Sequence, residues 1–297
     1  MTTTHRYTLF GLLAILFWSC LLAMTRMVAE YFGPLGGAAL LYSLSAILLV
    51  MVLGIPKLRH FAPRYLLLGG ALFVSYEILL ALSLGYAESR MQSIQVSIVN
   101  YLWPALTVLF AAWGRANKPS PWLYPSVLLA FVGVAYTASG DDGLSIEQMF
   151  TNIASNPTVF IMALVGAVIW AIYCNVTQRQ KSKHNAITLF FIATAVTLWL
   201  KFAFSQPALL HFEWRSSLVL LGASTLMAGG YALWNVAIVG GNMMFLATLS
   251  YFTPVLSALF SSIILGVTLP GTFWQGVAMV TIGSLACWWF TRSKNAV

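Results

Sequence analysis

Apolar residues gather along the chain into ten long runs, at about 8–29, 35–54, 65–86, 94–113, 122–139, 157–177, 186–204, 216–238, 244–266 and 273–290, with the polar residues concentrated between them. Each run is close to the roughly 20 residues that an α-helix needs to cross a hydrocarbon core. In lipid every backbone donor and acceptor must be satisfied internally, and a helix does this within its own segment. Barrel strands would be about half as long and would alternate polar with apolar residues. These runs do neither. The pattern predicts an all-α integral membrane protein of ten transmembrane helices.

One connection, about 140–156, is longer than the rest. Within it Ser145-Ile-Glu-Gln148 has the form of a capping box, with Ser145 as cap and Gln148 at the third helical position. Ile146, Met149, Phe150 and Ile153 then fall on one face, which predicts a short amphipathic helix lying in the interface. This segment divides the chain into five-run halves, 8–139 and 157–290. Tyr101-Leu-Trp-Pro-Ala-Leu-Thr-Val-Leu-Phe110 aligns with Tyr251-Phe-Thr-Pro-Val-Leu-Ser-Ala-Leu-Phe260 at a shift of 150 residues, and Gly133 and Gly283 keep that shift. Trp18 and Trp170 hold similar places in the first and sixth runs, each followed seven residues later by Thr25 or Thr177. With an odd number of crossings per half, the second half enters from the opposite side. Inverted repeats of this kind mark secondary transporters, whose site lies near mid-membrane between the repeats.

Charge sharpens the picture. Only 7% of the 297 residues are charged while 60% are hydrophobic, against about 25% charged in ordinary soluble domains. A soluble enzyme is excluded. The net charge of +8 lies in short connections rather than on one solvated face, so no nucleic-acid partner is expected. Eleven Lys and Arg fall on one set of connections: Arg6, Lys57, Arg59, Arg64, Arg115, Lys118, Arg179, Lys181, Lys183, Arg292 and Lys294. The opposite set has four, Arg26, Arg90, Lys201 and Arg215, together with Glu30, Glu88, Asp141, Asp142, Glu147 and Glu213. That bias places both termini in the cytoplasm. Cys20, Cys174 and Cys287 sit inside apolar runs without metal-binding spacing and read as small unpaired core residues.

The residues give little support to catalysis. All four histidines lie in or beside connections, and no His-containing zinc motif or G-x-S-x-G elbow is present. Ser139-Gly140-Asp141 puts its carboxylate at a membrane edge rather than opposite a second one. There is no G-x-x-x-x-G-K-[ST] phosphate loop. No cofactor or metal is expected.

Glu77 is the one carboxylate deep in a run, where an ionisable group is costly and by default a functional candidate; an ion pair or hydrogen bond that only fixes packing is the competing reading. Tyr76 beside it adds an aromatic face with a polar tip. Arg26 lies near the end of its run and either snorkels or pairs with Glu30. Asn100-Tyr-Leu-Trp-Pro104 is the densest polar–aromatic cluster. Pro104 and Pro254 each remove a helical hydrogen bond, so each half should kink there, as packing or as a working hinge. Rings recur at Tyr86, Trp170, Tyr173, Tyr231, Trp234 and Tyr251, while Trp122, Trp274, Trp288 and Trp289 suit an interfacial belt. Asn175 and Asn235 are amides in the membrane, each by itself suited to interhelical hydrogen bonding. Taken together, amides, one carboxylate and many rings suit a small zwitterion with an aromatic side chain. Runs four and nine hold no Lys or Arg, which argues against phosphorylated substrates.

With its five-plus-five arrangement and proline-kinked fourth and ninth runs, the chain resembles the drug/metabolite transporter superfamily, EamA type, over about residues 8–290. Phe73-Val-Ser-Tyr-Glu77, Ala81-Leu-Ser-Leu-Gly-Tyr-Ala87, Val99-Asn-Tyr-Leu-Trp-Pro104, Ser250-Tyr-Phe-Thr-Pro-Val-Leu-Ser257 and Trp274-Gln-Gly276 are similar to strings in its bacterial exporters of aromatic amino acids. The resemblance implies an inner-membrane carrier of Phe, Tyr and Trp working by alternating access. It also implies a central cavity lined by Tyr76, Tyr101, Trp103 and Trp170. Glu77, Asn100, Asn235 and Tyr251 complete the expected substrate-binding set, with Pro104 and Pro254 as hinges. The small multidrug members use a glutamate in their first helix, and run one has none before Glu30. A broader drug or amphiphile exporter is the alternative within transport; a receptor or intramembrane enzyme is the alternative outside it. A small-molecule substrate and the lipid bilayer are the expected partners, and a monomer the working expectation.

Overall fold

The computed structural model describes residues 3–113, 120–138, 145–179, 185–205, 209–240, 246 and 249–291. The elements named below are helical. In chain order they are α1 (Thr3–Phe32), α2 (Pro34–Leu53), α3 (Pro63–Gly85), α4 (Arg90–Asn100), α5 (Trp103–Trp113), α6 (Leu123–Ala138), α7 (Ile146–Ser155), α8 (Pro157–Gln178), α9 (Ile187–Phe204), α10 (Trp214–Gly240), α11 (Thr253–Leu265) and α12 (Gly271–Thr291). Among the described residues, eight segments are long and apolar enough to span a bilayer, with α4 and α5 counted as one; α6 and α11 are shorter apolar helices. Arg115, Lys118, Asp141, Asp142, Lys181, Lys183, His184, Arg292 and Lys294 lie outside the described residues.

Local chemistry sets the ends. Pro34 opens α2 behind Gly33 at φ 77°, a backbone region that only glycine adopts without strain. Gly266 closes α11 in the left-handed conformation. Ser145 caps α7 by accepting the Gln148 N–H at 3.2 Å, and Ile146 and Phe150 on that helix stay exposed, as an interfacial helix requires.

The expected kink at Pro104 is a full break. Run four arrives as α4 and α5, separated by a turn at residues 101–102, and a turn at 251–252 stands in the same place before α11. The bonding around the two turns matches pair for pair. Leu102 N–H reaches Val99 O at 3.1 Å and Phe252 N–H reaches Leu249 O at 2.9 Å. Leu106 N–H reaches Leu102 O at 3.0 Å and Leu256 N–H reaches Phe252 O at 3.1 Å. A proline at 104 or 254 has no N–H to give to residue 100 or 250, so both halves tighten by one residue instead.

The packing obeys the same symmetry. α1 packs on α10 and α11, and its counterpart α8 packs on α3 and on the α4–α5 pair. α2 with α9, and α6 with α12, join equivalent helices of the two halves. Between α6 and α12 the backbones touch: a Cβ at Gly133 would lie 2.6 Å from the Gly276 carbonyl oxygen, and one at Gly283 would lie 2.7 Å from Ala130 N. Close approach through small residues is the usual basis of helix association in lipid, where no hydrophobic force drives it.

The end of the bundle away from the N-terminus is held by charge. Glu30 accepts from Arg26 Nε at 3.0 Å, and Arg90 grips it with both Nε (3.0 Å) and Nη2 (2.8 Å). Arg26 Nη1 also donates to the carbonyls of Leu84, Gly85 and Ala87, satisfying the end of α3. Arg90 Nη1 donates to Leu265 O at the end of α11. Arg26 thus does pair with Glu30, and the pair belongs to a larger tie between α1, α3, α4 and α11.

Candidate functional site

A cavity of about 260 Å³ lies between the two halves, walled by α1, α2, α3, α4, α5, α8 and α10 with the break before α11 and the first residue of that helix. Thr25 and Leu84, directly beneath the Arg26–Glu30–Arg90 tie, line its far end. Trp18, Trp103, Cys174, Trp234 and Ser250 line it toward the other side. α4 packs across to α1 and α11, whereas the main partners of α5 are α6, α8 and α12. Both halves of run four reach the cavity, α4 through Asn100 and α5 through Trp103.

Rings make a large part of the wall. Trp170 lies 4.3 Å from Tyr76 at an interplanar angle of 30° and is stacked on Tyr173 at 4.9 Å and 27°. Trp103 meets Trp170 edge-on at 6.5 Å. Across the cavity Trp18 packs edge-on against Tyr231 at 5.5 Å and tilted, at 49°, against Trp234 at 5.3 Å. Trp18 and Trp170, equivalent in the two repeats, face the cavity from opposite sides.

The polar part is small. Glu77 is 3% exposed, and Tyr42 Oη donates to its Oε2 at 2.5 Å while Tyr231 Oη donates to its Oε1 at 2.8 Å. No Lys, Arg or His lines the cavity among the described residues. Asn100, also buried, donates from Nδ2 to Tyr76 Oη at 3.4 Å, and its Oδ1 accepts no hydrogen bond among the described residues. A buried acceptor without a donor costs about 1–3 kcal/mol, which a ligand at this wall would offset.

Six of the eight residues expected from sequence line this one cavity: Tyr76, Glu77, Asn100, Tyr101, Trp103 and Trp170. Tyr251 does not line it; its ring sits 6.4 Å from Trp288 of α12, and its neighbours Ser250 and Thr253 face the cavity instead. Asn235 belongs to α10, and its side chain lies outside what the structure describes. Asn175 donates to the carbonyls of Thr107 and Ala171, joining α5 to α8 as interhelical glue. Tyr42, Trp18, Tyr231 and Trp234 were missing from the expected set. A lone tyrosine inside the apolar run of α2 was the available signal for Tyr42. Trp18 was visible as the repeat partner of Trp170.

A family model described as the EamA-like transporter family matches twice, over residues 5–139 and 158–289. The chain belongs to the EamA-like transporter family. This family member is similar to the aromatic amino acid exporter YddG of Salmonella typhimurium, with 45% identity over 98% of this chain and 100% of the relative. It is similar to the protein of the same name in Escherichia coli, with 44% identity over 98% of this chain and 99% of the relative. A solved crystal structure 22% identical in sequence shares its fold, with a TM-score of 0.65 over 96% of each chain. The double match fits the duplicated helical architecture of this multi-pass membrane transporter.

Proposed function

We propose that this transporter exports aromatic amino acids and similar small solutes across the bacterial inner membrane by alternating access. The ring-lined cavity between the halves, with one carboxyl group and no cation among its described lining residues, is the observation that carries this reading. An aromatic side chain gains both burial and ring contacts there. The Salmonella and Escherichia relatives are aromatic amino acid exporters.

The five-helix halves, 8–139 and 157–290, act as the two repeats, joined by 140–156. Tyr76, Tyr101, Trp103 and Trp170 offer rings and Glu77 and Asn100 offer polar contacts to the substrate. The breaks at Pro104 and Pro254 serve as hinges, since each leaves a helix held to its continuation by a single turn. With both termini in the cytoplasm, as the Lys/Arg bias requires, the Glu30 tie closes the outer face and the cavity faces inward.

Proteoliposomes holding the purified chain test this directly. Uptake of tritiated phenylalanine above that of empty vesicles, inhibited by tryptophan and tyrosine and not by alanine, is the expected result. Transport of apolar drugs with no phenylalanine uptake would overturn it in favour of an amphiphile exporter.

A further inference from the structure

The two tyrosines on Glu77 are not equivalent. Tyr42 comes from α2, in the same half as Glu77, is 1% exposed and packs against Phe191 at 5.6 Å. Tyr231 comes from α10 in the other half, 154 residues away; both tyrosines line the cavity, but Tyr231, beside Trp18, is only partly buried. Its bond to Oε1 joins α3 to α10, which hold equivalent places in the two repeats. α3 takes its main packing from α8, α9, α1, α2 and α4, so the tie to α10 is a point contact rather than a packed face. One oxygen of Glu77 is therefore held by a fully buried donor of its own half, whose helix packs on α9 and α10, and the other by a more exposed donor of the opposite half.

We propose that Glu77 is the residue that selects substrates for a free amino group, with Tyr42 as its fixed positioning donor and Tyr231 as an exchangeable one that gives up Oε1 to the substrate ammonium. The proposal rests on the aromatic amino acid reading above and adds which atom recognises the amine. An ammonium group carries three donors and no acceptor, and so requires a site made of acceptors. Glu77 supplies the one charged acceptor among the described lining residues, and Asn100 Oδ1 is an unspent neutral one at the same wall. A carboxylate keeps further lone-pair directions when each oxygen accepts one bond, so the ammonium can arrive before the tyrosine leaves. Exchange at Oε1 removes a bond between the halves at the moment the cavity fills. Substrate binding is thereby linked to freedom of α10 relative to α3. A substrate with a carboxylate and no amine meets Glu77 as a like charge and leaves the tie intact.

Competition against tritiated phenylalanine bound to the purified protein tests this, using phenethylamine, which lacks the carboxylate, and 3-phenylpropionate, which lacks the amine. Hydrogen bonds to charged groups support a preference of about tenfold or more for phenethylamine in the wild type. Glu77→Gln is expected to bring the two competitors within about twofold of each other while aromatic rings still bind, because the amide keeps the shape and loses the charge. Tyr42→Phe is expected to weaken phenylalanine binding several-fold. Tyr231→Phe is expected to tighten it several-fold and to keep the amine preference, since a competing donor is gone. A Glu77→Gln protein that keeps the full preference, with wild-type phenylalanine binding intact, overturns the amine assignment and leaves the aromatic reading standing. Tyr231→Phe weakening binding as much as Tyr42→Phe overturns the exchange. Wild-type protein that binds no aromatic amino acid overturns this proposal and the function together. Elution of each variant as a monodisperse peak in detergent separates these outcomes from misfolding.

Discussion

Arg90 holds Glu30 in a two-point grip, Nε to Oε1 at 3.0 Å and Nη2 to Oε2 at 2.8 Å, across 60 residues of sequence. Arg26 shares Oε1, so one carboxylate gathers two guanidinium groups at the roof of the cavity. Bidentate Arg–carboxylate pairs fix geometry as well as adding energy. Arg26 keeps 11% of its side-chain surface exposed and Arg90 45%, so the Arg26 arm of the tie is the better shielded from solvent.

Glu30→Gln removes the charge from the centre of this tie and should loosen the roof. In a background free of Cys20, Cys174 and Cys287, a cysteine at Thr25 is expected to react with an impermeant maleimide several-fold faster once Glu30 is Gln. An unchanged labelling rate would show that apolar packing, not the tie, keeps this end shut.

Topology follows from the Lys/Arg bias. Arg59 and Gln148 are both exposed, and they belong to opposite sets of connections. Single cysteines at these two positions should label in opposite fashion in intact cells: Gln148→Cys from outside, Arg59→Cys only after permeabilisation. Labelling from the same side would contradict an inverted repeat.

The rings divide into wall and contact. Trp170 already packs against Tyr76 and Tyr173, so its removal takes away both a cavity surface and the neighbours' support. Aromatic pairs contribute about 0.5–1.5 kcal/mol beyond burial, which corresponds to about threefold to tenfold in affinity. Trp103→Ala is expected to weaken phenylalanine binding on that scale with little change in thermal stability. Trp170→Ala should lose more affinity and lower the melting temperature as well. Normal binding by both variants would remove these rings from the site.

Gly133 and Gly271 make a contrasting pair. A Cβ at Gly133 would stand 2.6 Å from a backbone oxygen of Gly276, whereas none of the described residues comes within 4 Å of one at Gly271. Overpacking between rigid backbones costs about 1–3 kcal/mol. Gly133→Ala should therefore lower the melting temperature measured by size-exclusion after heating, and Gly271→Ala should not.

Much of the architecture was legible in the linear pattern because lipid imposes it. Run length, the two prolines and the repeat shift of 150 residues give ten helical runs in two matching halves, and the structure shows both halves broken at the same place. Ser145 as a cap and Arg26 paired with Glu30 were readable because cap and i,i+4 contacts are local. Glu77 stood out because a carboxylate in an apolar run is conspicuous by its cost.

The partners of these groups were decided by tertiary structure alone. Nothing in sequence joins Arg90 to Glu30, or Tyr231 to Glu77, since each pair meets only when distant helices pack. Tyr101 and Tyr251 are equivalent in the repeat, yet only Tyr101 lines the cavity. One conformation closes one end of the bundle, and a two-fold pattern in sequence cannot say which of two matching rings is turned inward. Periodicity and desolvation cost act along the chain and are written in it, while the rotation of each helix is fixed by the neighbours it packs against.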